Sequence, residues 1–238
     1  MASQHPDLVR RDWQVRNPAL LPGIAPAEIA EHVSGVTTII EAGAFDGTDS
    51  RRLAAQWPEA TIYAFEPVPE LFGRLCARVA DLPNVRPQPY GLGASDTTAT
   101  MTLSHLVTAP DGVRASSSLL SPTGHTRLIA DVTLEGSVEV QVLTLDSWME
   151  HAGIAQVDVA WLDLQGMELD VLGAAPRARS SLRAARLEVS RWPLYGGGPT
   201  DPQVNARMAD WGFGKVLDRV IVPFGNALYV RSRGGDPR

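Results

Sequence analysis

The stretch Val36-Thr37-Thr38-Ile39-Ile40-Glu41-Ala42-Gly43-Ala44-Phe45-Asp46-Gly47 says most about how this chain folds. An apolar run ends in an acid, passes through glycines and gives way at Thr48 to helical spacing. That order describes a buried parallel strand whose carboxyl end turns sharply into a helix. In open α/β sheets, ligands bind at that end. Glycine has a physical task there, because a residue without Cβ lets backbone approach a ligand closely.

Working outward, the same unit recurs. A helix from Thr48 to Trp57 places Leu53, Ala54 and Trp57 on one stripe and stops at Pro58. A second strand, Thr61 to Phe65, ends in Glu66-Pro67 and leads into a helix from Val68 to about Ala80. A third strand, Val85 to Tyr90, carries Pro87 and Pro89, which suits a sheet edge, and ends in Gly91-Leu92-Gly93. A strand from Thr97 to Leu103 then opens the least regular region. Its length suggests a lid or substrate loop over residues 104–135.

Alternation returns at Ser137 to Val142, and Thr144 is placed to cap a helix to His151. A fourth apolar strand, Val157 to Leu162, ends in Asp163-Leu164-Gln165-Gly166, with a helix from Met167 to Gly173. A fifth, Ala185 to Leu187, ends in Glu188. A helix from Pro202 to Trp211 and an antiparallel hairpin (Val216 to Val222, Ala227 to Val230) close the pattern. The expected organisation is an arm with a short helix (1–35), one α/β domain (36–232) and a flexible tail (233–238).

The 238 residues, 44% of them hydrophobic, suffice for a single domain with a substantial core. A net charge of -6 argues against a nucleic-acid partner and favours a small neutral or cationic ligand. Cys76 is the single cysteine, so no internal disulfide can form; it reads as a packed residue, and a reducing compartment is expected. No apolar run approaches the roughly 18 residues that span a bilayer. Arg10-Arg11 is followed by Asp12-Trp13-Gln14 instead of an apolar signal core. The expectation is a cytoplasmic protein without a membrane or nucleic-acid partner, whose oligomeric state the sequence leaves open.

Parallel strands joined by right-handed crossovers present their carboxyl ends on one side. Glu41, Glu66, Gly91/Gly93, Asp163 and Glu188 should therefore converge, and converging acids are costly unless something cationic or hydroxyl-rich sits among them. A glycine turn with an acid about 20 residues later suits either a dinucleotide or S-adenosylmethionine. The turn here is not G-x-G-x-x-G, and Glu41 and Asp46 would face a diphosphate with like charge. Both acids suit an ammonium and a sulfonium instead, which favours the methyl donor.

Glu41-Ala-Gly-Ala-Phe-Asp-Gly47, Phe65-Glu66-Pro67, Ser116-Ser117-Ser118 and Asp163-Leu-Gln-Gly-Met-Glu168 with Val171-Leu-Gly-Ala174 resemble the FkbM family of methyltransferases. The resemblance covers about residues 36–190. It implies a class I methyltransferase (Rossmann-like) fold: a seven-stranded, mostly parallel sheet ordered 3-2-1-4-5-7-6 with an antiparallel last strand. It also implies S-adenosylmethionine as donor and a hydroxyl acceptor on a natural product or sugar. The chain departs from the family pattern at Glu41 (for Asp), Asp46 (for Asn) and Gln165 (for Glu); the last change removes a charge near the acceptor.

Glu66 is then the ribose ligand, with Glu41, Gly43, Phe45 and Asp46 cradling the donor. Pro67 follows Glu66 in the donor site, Leu92 and Gly93 border the adenine, and Ser95 and Asp96 either bond its amino group or shape a plain turn. Asp163 touches donor and acceptor, and with Glu188 forms a carboxylate pair suited to general-base work. His125 or His105, from the lid region, is the alternative base. Magnesium on the carboxylate pair is the rival use, disfavoured because no further acid follows Glu188 closely. Glu168, at a helix start, reads as a solvated acid favoured by the dipole. Trp192 and Tyr195 either line the acceptor pocket or pack their loop. Oxygen methylation is the leading reading. N-methylation of an amine or peptide is the enzymatic alternative, and a non-catalytic binding protein of the same fold is the alternative from another class.

Overall fold

The computed structural model describes residues 23–106, 132–192, 196–221 and 224–232. Short helix α1 (Pro26–Ala30) opens with proline, whose missing N–H costs nothing in a first turn. β1 (Thr38–Ala42), α2 (Thr48–Gln56), β2 (Thr61–Phe65), α3 (Pro69–Arg78) and β3 (Val85–Gln88) follow as alternating units. Next come β4 (Gly91–Leu92), β5 (Thr97–Leu106), β6 (Val132–Leu143) and α4 (Leu145–Ala152). The chain continues through β7 (Val159–Leu162), α5 (Glu168–Gly173), α6 (Pro176–Ser181), β8 (Ala184–Ser190), α7 (Asp201–Asp210), β9 (Phe213–Ile221) and β10 (Phe224–Arg231).

Seven strands form the main sheet in the order β3-β2-β1-β7-β8-β10-β9. Numbered among themselves along the chain, these seven run 3-2-1-4-5-7-6, the order the family resemblance implies. β10 runs antiparallel to β8 and β9, and β3, with its prolines, lies at an edge. The registers align Ile39 with Ile62 and Val159, and Val159 with Ala184. Those side chains pack with Ile29, Leu53 and Leu75 on one face. Alternate residues Ile40, Ala160 and Ala185 pack with Trp148, Leu172 and Met208 on the other. Both faces are covered, which is why the central strands are continuously apolar. Ile40 is fully buried, so truncation to alanine would cost about 2–5 kcal/mol.

Three local features differ from the sequence expectation. The third strand stops at Gln88, and Gly91–Leu92 instead joins a second, three-stranded sheet ordered β4-β6-β5. A Cβ on Gly93 would lie 2.6 Å from Val142 Cγ1, so glycine lets β6 approach. The stretch after Gly173 holds a further helix, α6. The Asp146 carboxylate accepts the N–H groups of Arg177 and Ala178, both at 2.8 Å, capping α6 from another helix. Such a non-local cap leaves no mark in the adjacent sequence. Residues 1–22, 107–131, 193–195, 222–223 and 233–238 lie outside the described residues. So do His125, Ser116-Ser117-Ser118, Tyr195, most of the supposed lid, and the expected arm and tail. β5 includes His105, whose side chain is not described. No helix among the described residues is long and apolar enough to cross a membrane.

Candidate active site

The turn after β1 is held from both sides. Gly43 and Ala44 donate their N–H groups to Phe65 O (3.1 and 2.9 Å), and Asp163 donates its own to Ala42 O (3.0 Å). Gly43 has φ +81°, and a Cβ there would lie 2.2 Å from the Asp163 carbonyl oxygen. Its glycine is therefore required by the backbone of the neighbouring strand end, a structural task compatible with the expected place beside the donor.

Glu41 and Asp46 both have partners within the protein. Glu41 is 1% exposed and accepts the Ser50 hydroxyl at 2.6 Å. Burial pushes its carboxyl up to about 8, with Asp49 adding to the effect, so at neutral pH it is mostly protonated rather than a ready anion. Asp46 accepts the Thr48 N–H at 3.0 Å and pairs with Arg78 at 2.7 Å, so its charge is already offset. Phe45 sits in the left-handed region at φ 53° and donates its N–H to Glu66 Oε2 at 3.0 Å. Glu66 Oε1 accepts the Val68 N–H at 2.9 Å. Burial pushes the Glu66 carboxyl up to about 7 against those two backbone bonds. Glu66 thus ties the turns after β1 and β2 together and keeps lone pairs for a further donor.

The residues of the expected adenine border have these surroundings. Leu92 is 2% exposed, inside the core with Phe65 and Trp148, and Gly93 donates to Leu143 O at 3.0 Å. Asp96 is exposed and accepts the Thr144 N–H at 2.7 Å, buttressing the start of α4; that bond holds its carboxyl below the usual range. Ser95 is exposed beside it, and Pro67 is half-buried at the end of β2.

Chemistry gathers at the turn after β7. Asp163 is half-buried and accepts from Gln165 Nε2 at 2.8 Å and from Arg186 Nη1 at 3.5 Å. Gln165 is a second non-glycine residue in the left-handed region, at φ 56°. Glu168, expected to be solvated, is 1% exposed and accepts the Leu164 N–H at 2.8 Å; burial pushes it up to about 7, and Asp163 adds to that. Glu188 is raised well above the carboxylate range by burial, by the charges of Asp163 and Glu168, and by a hydrogen bond shared with Asp163. Glu168 and Glu188 line a cleft with Gly166, Ser190, Trp192, Val204 and Phe224.

The structure therefore brings Asp163 and Glu188 together as expected and adds Glu168, expected as a solvated acid, and Arg186, which sequence reading passed over. Arg186 did leave a signal: two residues before Glu188 in a strand, it lies on the same face. Among the described residues, no three His, Cys, Asp or Glu side chains are disposed to hold a metal ion.

The sheet order, with functional groups at the carboxyl ends of the strands, defines a class I methyltransferase fold. Methyltransferase FkbM domain is the family description that matches residues 41–214, and the chain belongs to that family. The 2-O-methyltransferase NoeI of Sinorhizobium fredii (strain NBRC 101917 / NGR234) is 28% identical over 162 residues, 67% of this chain and 65% of NoeI. The chain thus spans slightly less than two thirds of that relative's length. Methyltransferase sdnD of Sordaria araneosa is 27% identical over 205 residues, covering 76% of this chain and 75% of sdnD. The N-terminal domain of EvdMO1, solved in the presence of SAH and D-fucose, superposes with TM-score 0.50 at 12% identity over 97% of this chain and 98% of that one, a likeness of fold.

Proposed function

We propose that the protein is an S-adenosylmethionine-dependent O-methyltransferase acting on a hydroxyl of a small natural product or sugar-like acceptor. The convergence of Asp163, Glu168 and Glu188 beside the glycine turn, with Arg186 next to Asp163 and Glu188, carries this reading. Acids outnumber cations at this edge, with Arg186 beside Asp163 and Glu188, and such a lining opposes a diphosphate. The residues present fit the methyl donor: Glu66 retains acceptor capacity for ribose hydroxyls, and Asp163 stands between the two turns. When bound, the donor supplies an electrophilic methyl group.

The chain's own residues do the rest. Asp163 and Glu188 orient the acceptor hydroxyl, and one carboxyl of the pair takes its proton. Val204 and Phe224 give the cleft an apolar wall, and Trp192 stands at its side. Holding the reacting atoms about 3 Å apart supplies much of the rate. The name of the relative NoeI, a 2-O-methyltransferase, supports oxygen as the acceptor atom.

Calorimetry with S-adenosylmethionine against NAD tests the cofactor. Mass spectrometry of hydroxyl-bearing metabolites incubated with enzyme and donor tests the reaction, through a gain of one methylene. Failure to bind the donor sinks the proposal, and methylation of amines alone sinks the oxygen assignment.

A further inference from the structure

Arg186 is in an unusual place for a guanidinium. It lies on β8 at the centre of the sheet, 6% exposed, in register with Trp161 of β7, and its guanidinium carbon stands 4.5 Å from the Trp161 ring centroid. Arginine is almost never fully buried unless paired, and charge-assisted bonds to carboxylate normally fall at about 2.7–2.9 Å. Here Nη1 reaches Leu162 O at 3.4 Å and Asp163 Oδ2 at 3.5 Å, while Nε has no hydrogen-bond partner among the described residues. These contacts are too long for a pair that exists only to close a core. What the cation does have is a ring of acids: Glu41 from β1, Asp163 from the end of β7 and Glu188 from its own strand all feel its charge.

We infer that Arg186 is a positioning residue: from its seat on the Trp161 ring it holds Asp163 as the fixed anion of the cluster and leaves Glu188 as the carboxyl that exchanges the acceptor's proton. This rests on the reading of the cleft as a methyl-transfer site. Asp163 suits the anion's role because it receives side-chain donors on both oxygens, Gln165 on one and Arg186 on the other. Glu188 faces Asp163 and Glu168, with Asn226 of β10 opposite it in the ladder, and Arg186 is the cation acting on it. Two adjacent carboxyls of unequal environment share one proton, and the less supported one keeps it. In the transfer step the acceptor oxygen bonds the methyl carbon as the bond from sulfur to that carbon breaks. The electron pair goes to sulfur, which leaves as a neutral thioether, and the hydroxyl proton passes to the ionised form of Glu188. Rate should therefore rise with pH as Glu188 ionises.

The test needs no acceptor. With glutamate labelled at the carboxyl carbon, NMR follows each titration, and the signal lost in Glu188→Gln identifies Glu188. Asp163→Asn removes the neighbouring anion, and the Glu188 midpoint should fall by about one pH unit or more. Arg186→Met removes the cation, and the midpoint should rise by a similar amount. Arg186→Lys keeps the charge and should leave it near the wild-type value. A merely structural arginine would not produce shifts of opposite sign. A Glu188 midpoint unmoved by Asp163→Asn overturns the proposal, as does a wild-type Glu188 that titrates in the ordinary carboxylate range. Should Arg186→Met not fold, the Asp163→Asn and Arg186→Lys variants decide the matter. Calorimetry of wild-type protein with S-adenosylmethionine is run alongside. Absence of donor binding there overturns the functional reading, whereas binding with an unshifted Glu188 overturns the assignment of Arg186 alone.

Discussion

Two turns at the carboxyl edge of the sheet each hold a non-glycine residue in the left-handed region, Phe45 after β1 and Gln165 after β7. Each such residue costs roughly 1–3 kcal/mol, and the surroundings must enforce it. The turns lie on adjacent strands yet use their acids differently. In the first, Glu41 bonds Ser50, Asp46 pairs with Arg78, and Glu66 receives two backbone N–H groups. In the second, Asp163, Glu168 and Glu188 crowd together, with one loosely bonded arginine beside Asp163 and Glu188. The acids of the first turn are tied into the scaffold. Those of the second raise one another's affinity for protons, the kind of perturbation that marks candidate functional groups.

Gly43→Ala should break the scaffold most severely. Its Cβ would collide with the Asp163 carbonyl at an unfavourable φ, costing about 4 kcal/mol and lowering the thermal midpoint by about 10 °C. An unchanged melting curve would show that the two turns are not locked together. Glu66→Gln comes next, because an amide cannot accept both the Phe45 and Val68 N–H groups on two oxygens. S-adenosylmethionine binding, measured by calorimetry, should weaken about tenfold or more. Equal affinity would remove Glu66 from the donor site.

Smaller in effect is the pH dependence of stability. Glu41 is raised to about 8 and Glu66 and Glu168 to about 7, all above their unfolded values. The native state then binds more protons than the unfolded chain between about pH 4.5 and 8, so stability falls as pH rises through that window. Thermal melts should decline from pH 5 to 8, and Glu41→Gln should flatten the decline. A parallel decline in the variant would mean that Glu41 does not titrate as its burial requires. Least of all should Arg78→Ala matter: its pair with Asp46 is partly exposed, and the change in stability should stay within about 1 kcal/mol. A larger loss would show that Asp46 depends on Arg78 to hold the turn.

Much of this was legible in the chain itself. Apolar runs of strand length, each closed by an acid or a glycine, gave the parallel sheet, its order through the family resemblance, and the edge that carries function. Gly43-Ala-Phe-Asp-Gly47 was correctly a turn, and Asp163 and Glu188 were correctly placed side by side, because strand ends converge whatever packs around them. Periodicity states that a residue lies on a face; it does not state what covers that face. Glu168 illustrates this: a helix N-terminus says that an acid is tolerated, whereas the fold of the preceding turn decides that it points inward to Leu164.

Residue type and spacing by themselves determined the sheet, its ligand-binding edge and the acids along it. Only the tertiary structure decided which acids are charged, since that depends on burial and on partners distant in sequence. Ser50 and Arg78 draw Glu41 and Asp46 into the scaffold. Trp161 seats Arg186 beside Asp163, and the crowding of Glu188 and Glu168 follows from strands and helices whose neighbours no local pattern names. Ionisation is set by the field of the folded molecule, and that field exists only once the strands have paired.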